Sequence, residues 1–150
     1  MKNQVFEESI RAKQALIDRF NAAKEAGDEE ELQATREAMQ AWGEEYRKVH
    51  DEEYQEMFNL AWEAHRVGND LIDLNRCIWE KEIPALVEKF RKYGIDAFTI
   101  SSGYSSLNET IYAFLQNGCR MDGMVITHLP YQDFMSDEFK TGPAFLLRID

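Results

Sequence analysis

Between Asp28 and Val67 the chain runs for forty residues without a proline, and the next one is Pro84. A breaker-free stretch of that length reads as one long helix, and whatever else the chain builds has to accommodate it. Its start is marked by Gly27 and Asp28, with Glu31 three residues on in the spacing of a capping box and acids that suit the positive end of the helix dipole. At roughly 100° per residue, Leu32, Met39, Trp42, Tyr46, Val49, Met57, Leu60 and Ala64 fall in one arc, which must face another part of the protein. After Tyr54 the arc widens to take in Phe58 and Trp62, so this end should be enclosed on more sides. A straight helix of this length would measure about 60 Å, roughly twice the size of a compact chain with as many residues. The helix is therefore expected to protrude, to break near Gly43 or Gly68, or to form an interface.

The same stretch concentrates the charge. The chain has 17 Lys and Arg against 28 Asp and Glu, a net charge of −11, and residues 28 to 56 hold eleven of the acids and three of the bases. That balance disfavours direct contact with nucleic acid or with an anionic membrane. Hydrophobic residues make up 44%, enough for a packed core, yet no apolar run is long enough to cross a bilayer. With no leader of charged and then apolar residues, a soluble cytoplasmic protein is expected. Cys77 and Cys119 lack CxxC spacing and are expected to be free, buried thiols.

Residues 3 to 26 read as a first helix ended by Gly27, with Phe6, Ile10, Ile17 and Phe20 on one face. A short connection makes it antiparallel to the long helix, and near-heptad spacing on both suggests a coiled-coil-like hairpin over residues 1 to 69. Residues 70 to 150 should form a small α+β module at its end. There the pattern predicts a helix over 70–81, a second after Pro84 that stops at Gly94, a strand over 96–101 and a helix over 106–117 opened by a Ser-Leu-Asn-Glu capping box. Strands over 124–129 and 144–149 complete a three-stranded mixed sheet, the first two strands parallel through a crossover and the third added antiparallel after a loop over 130–143. The fold class is α+β.

Three surfaces could carry function. The acidic helix face offers Glu30, Glu37, Glu44, Glu45, Asp51, Glu52 and Glu56 to a basic partner. Eleven acids over about 44 Å of helix approach the charge density of a single nucleic-acid strand, one per about 3.4 Å, so the face could imitate a nucleic-acid backbone in the basic groove of a nucleic-acid-binding protein. The bland alternative is a solvated face that maintains solubility. The loop Ser101, Ser102, Gly103, Tyr104, Ser105, Ser106, between strand and helix, could bind phosphate or carboxylate through its N–H groups and hydroxyls. No Lys or Arg lies between Lys92 and Arg120 to neutralise such an anion, and a plain βα turn explains the loop as well. The third is the aromatic and acidic loop Tyr131 to Phe139, either a lid on the sheet or a segment held out for a partner. His50, His65 and His128 lack the repeated Glu-x-x-His spacing of a metal-binding bundle, and no nucleophile motif is present. No catalytic set, cofactor or metal is therefore expected.

The run KYGIDAFTISSGYSSLNETIYAFLQNGCRMDGMV, Lys92 to Val125, resembles the C-terminal segment of small uncharacterised proteins of bacterial mobile elements and phages. The resemblance transfers no catalytic residue. It implies an accessory protein and raises the prospect of an inhibitor. The reading is a non-enzymatic acidic interaction module, possible in its most specific form as a mobile-element-encoded nucleic-acid mimic. The competing readings are a small-ligand or phosphate binder using the Ser101–Ser106 loop, and a homodimeric structural or assembly protein built on the hairpin.

Overall fold

A computed structural model describes residues 4–150. After a short 3-10 turn at Gln4–Phe6 come α1 (Glu7–Ala26), α2 (Glu29–Val49) and α3 (Glu52–Val67). Then follow β1 (Asp73–Leu74), a 3-10 turn at Glu80–Glu82, α4 (Ile83–Lys92), β2 (Ala97–Ile100), α5 (Leu107–Gln116), β3 (Cys119–Gln132) and β4 (Phe139–Ile149). The chain divides into two compact units, Gln4–Phe58 and Asn59–Asp150, with the boundary inside α3.

The first unit contains the expected antiparallel hairpin. Residue 3, where the first helix was expected to start, lies outside the described residues. Gly27 closes α1 in the left-handed conformation (φ 66°), and the Asp28 carboxylate accepts the Glu31 N–H at 3.1 Å to open α2. The Glu31 side chain does not complete a capping box, because it pairs with Arg19 across the hairpin.

The forty-residue helix is not continuous, and the break falls at neither glycine. Gly43 is helical, and Gly68 (φ 88°) only ends α3. The chain turns at His50, which is extended (φ −113°, ψ 135°), and Asp51 caps the new helix by accepting the Tyr54 N–H at 2.8 Å. Burial explains the turn: it brings the Tyr46 and Phe58 rings to 5.4 Å and stacks His50 on Tyr54 at 3.8 Å, around a fully buried Phe6. In an unbroken helix the Cα atoms of residues 46 and 58 would stand about 18 Å apart. Beyond Tyr54 enclosure is greater, as the widening arc implied: Met57, Phe58, Ala61 and Trp62 are all buried.

The second unit is a four-stranded mixed sheet in the order β1-β2-β4-β3, not the expected three strands. Residues 70–81 contain no α-helix. Ile72, Leu74 and Ile78 are the buried positions, at even spacings, and β1 pairs parallel with β2. β2 and β3 point the same way, as the crossover through α5 implied, but they are not neighbours: β4 lies between them, antiparallel to both. The expected loop over 130–143 shrinks to a turn, because β3 and β4 continue as a long hairpin. Pro84 lies in the first turn of α4, and Gly94 (φ 73°) follows its end. Ser106 opens α5 without a side-chain cap.

The core of this unit is aromatic. Phe90 of α4, Phe98 of β2 and Phe114 of α5 are fully buried, with successive ring centroids 5.1 Å apart, and all four residues of β2 are buried. Cys119 is buried and its thiol is pushed up to about 11 by desolvation, whereas Cys77 is exposed, against expectation. Both are free thiols.

Candidate functional site

The turn at His50 divides the acidic face. Glu30, Glu37, Glu44 and Glu45 lie on α2, all exposed, whereas Asp51, Glu52 and Glu56 lie past the corner. Glu30, Glu37 and Glu44 recur every seven residues and form a stripe roughly 140 to 180° round the helix from the buried Thr35. Glu37 and Glu44 accept weak hydrogen bonds from Gln33 and Gln40 at 3.4 and 3.5 Å. None of the four pairs with a base among the described residues. Glu31 behaves differently, since its hydrogen bond with Arg19 holds its carboxyl below the usual range. Asp51 spends one oxygen capping α3.

The Ser101–Ser106 loop is occupied by its own chain. Ser101 and Thr99 donate to the Asp73 carboxylate at 2.5 and 2.6 Å, and Ser102 donates to the Arg76 carbonyl at 3.1 Å. Tyr104 donates to Thr110 at 2.9 Å and accepts the Ile78 N–H at 3.3 Å. Gly103, Ser105 and Ser106 are exposed. The Ser101 hydroxyl is thus held by the carboxylate of Asp73, whose charge opposes an incoming anion. Partial burial raises the pKa of Asp73, while the two hydroxyls act the other way. Beside the loop, Ile78, Trp79, Glu80, Lys81, Ser106 and Thr110 line an open cleft of about 520 Å³. One acid and one base cancel there, and the Thr110 hydroxyl is committed to Tyr104 and Ile78, so the lining selects no ligand charge.

The Tyr131–Phe139 loop is not a lid. Phe134 and Met135 are 94% and 91% exposed at the hairpin turn, with Met135 in the left-handed region (φ 60°), and Asp133, Asp137 and Glu138 surround them. Met124 and Ile126 of β3 are also exposed. Although β3 is an edge strand, its edge is blunted. The Asn69 side chain, just past α3, accepts the His128 N–H and donates to the His128 carbonyl, both at 2.9 Å, as a neighbouring strand would. Pro130 and register shifts on both sides of Met124–His128 interrupt the remainder.

Helical hairpin, mixed sheet and exposed carboxylates together define an α+β protein with a separate acidic helical unit. The chain belongs to the family described as a domain of unknown function, DUF7698, whose model matches residues 56–149. That match covers nearly all of the sheet unit, and of the seven candidate carboxylates it includes only Glu56. No curated protein and no solved structure matches the chain.

Proposed function

We propose that the protein acts by binding another protein and not by chemistry, and that the contact is the outer face of α2. The observation that carries this reading is the set Glu30, Glu37, Glu44 and Glu45, exposed on one helix and without a basic partner among the described residues. A surface left with unneutralised like charge is ready for a Lys- and Arg-lined groove, where the pairs gain from partial desolvation. Four charges over about 22 Å is one per roughly 6 Å, which is sparser than a single nucleic-acid strand. Imitation of a nucleic-acid backbone is therefore confined to the length of α2. Taken with the resemblance of Lys92–Val125 to proteins of mobile elements, the finer form is an inhibitor carried by such an element.

The experiment is competition. A fluorescent single-stranded oligonucleotide bound to a DNA-binding domain with a basic groove should be displaced by the protein, and Glu37→Lys with Glu44→Lys should abolish displacement without altering the circular dichroism. Failure of the unaltered protein to displace the oligonucleotide at low salt would remove the reading.

A further inference from the structure

The tip of the β3–β4 hairpin holds two large apolar side chains in water, although the turn itself needs neither. The turn is built by hydrogen bonds of its own. The Asp133 N–H donates to the Glu138 carbonyl at 3.2 Å, and the Ser136 N–H to the Asp133 carbonyl at 3.1 Å. The Glu138 N–H donates to the Ser136 hydroxyl at 3.1 Å, and the Gln132 side-chain amide to the Asp137 carbonyl at 3.2 Å. None of these bonds uses the Phe134 or Met135 side chain. The pair occupies the centre of the four-residue turn closed by Asp133 and Ser136, and Met135 takes the left-handed conformation that such a turn ordinarily gives to Gly or Asn. The free chain thus bears a strained backbone and two exposed apolar side chains at one place. A polar pair would build the same turn without either cost.

Around the pair the charge has one sign. Residues 132–139 hold Asp133, Asp137 and Glu138 and no base. All three carboxylates are exposed and outside every ion pair among the described residues. Lys140, next along β4, lies over the Tyr131 ring at 5.9 Å. An aromatic anchor and a methionine inside a charged rim, fixed before contact, have the anatomy of a protein-binding hot spot. We propose that Phe134 and Met135 insert as a knob into an apolar pocket of another protein whose rim carries Lys or Arg. The ring of acids selects that occupant: it repels an anionic lipid surface and gains nothing from a second copy of a chain at −11. The knob lies in the sheet unit and α2 in the helical one, so either assignment can fail without the other.

Thermal unfolding of the full chain carries the first test. Phe134→Ser with Met135→Gly should leave the midpoint unchanged or raise it, because the variant relieves the turn and removes no packing. A lowered midpoint would show the two side chains packed on their own chain and would overturn the proposal. The second test titrates the chain, by NMR, with a defined mimic of the pocket, a β-cyclodextrin carrying ammonium groups on its rim. It should shift the resonances of residues 131–140 and bind about threefold or more tighter than uncharged β-cyclodextrin, since three exposed carboxylates meet the cationic edge. The double variant should lose that binding. No binding, equal affinity for the two hosts, or shifts centred elsewhere would overturn the proposal. So would flotation with phosphatidylcholine vesicles, or self-association, that the double variant abolishes.

Discussion

The two units of this protein solve the burial problem in opposite ways. In the sheet unit β2 is covered on both faces, and three phenylalanines from α4, β2 and α5 meet at its centre. In the helical unit full burial is concentrated towards the ends: Ala23, Leu32 and Thr35 on the side of one turn, and Phe6, Tyr54, Met57 and Phe58 near the other. Between them lie half-covered apolar side chains on the inside and uncompensated carboxylates on the outside. A segment that keeps both kinds of surface open is suited to contacts with other molecules, while the sheet unit, which carries the family match, encloses an aromatic core and leaves its exposed apolar side chains mainly along β3 and its turn, at Met124, Ile126, Phe134 and Met135.

The contrast can be broken most directly by truncation. Phe98→Ala should cost about 3 to 5 kcal/mol in urea unfolding, because a fully buried ring leaves a cavity. Ile17→Ala, measured dilute, should cost under about 1.5 kcal/mol, since much of its surface is already in water. Equal losses would mean that the seam is as well packed as the sheet. Asp51→Ala comes next, with a loss of about 1 kcal/mol, because it removes the carboxylate that accepts the Tyr54 N–H where α3 begins.

Two smaller effects depend on pH and sharpen the same comparison. Asp73 in the sheet unit has a raised folded pKa, so the folded state holds its proton more tightly than the unfolded chain does. Its contribution is therefore favourable below the usual carboxylate range and is lost as pH rises through the folded value. Asp73→Asn should flatten that part of the stability profile, and an unchanged profile would contradict the assignment. In the helical unit, desolvation pushes the Tyr46 hydroxyl up to about 12. Stability should fall as pH rises from the ordinary value of about 10 towards that figure. This hydroxyl is buried without a hydrogen bond, so Tyr46→Phe should abolish the alkaline loss and be neutral or slightly stabilising at neutral pH, as read by thermal unfolding.

How far such features are legible in the sequence differs between the units. The α+β class, the hairpin, the Gly27–Asp28 turn and the exposed position of Glu30, Glu37 and Glu44 all follow from periodicity and caps, which are local. The corner at His50 was also written locally, since Asp51 followed by Glu52 and Glu53 is a helix start in its own right. Unbroken apolar periodicity on either side concealed it. Residues 70–81 were misread because Leu71, Leu74, Cys77 and Ile78 fit a helical face, while pairing of β1 with β2 favours Ile72 and Leu74. The insertion of β4 between β2 and β3 rests on contacts such as Phe98 with Leu147, which no local pattern encodes. For Phe134 and Met135 the sequence leaves a lid and an outward-held loop equally open, because apolar residues in a loop suggest burial, and here the turn holds them in water.

The salt dependence of binding tests the central claim most directly. For the complex with a basic-groove protein, the association constant should fall steeply with salt concentration, with a slope on logarithmic axes shallower than the roughly −3 that four contacts to a single nucleic-acid strand would give. In Glu37→Lys with Glu44→Lys the slope should collapse together with the affinity. Binding that is indifferent to salt, or that survives the two reversals unchanged, would contradict the assignment of α2 as the contact surface.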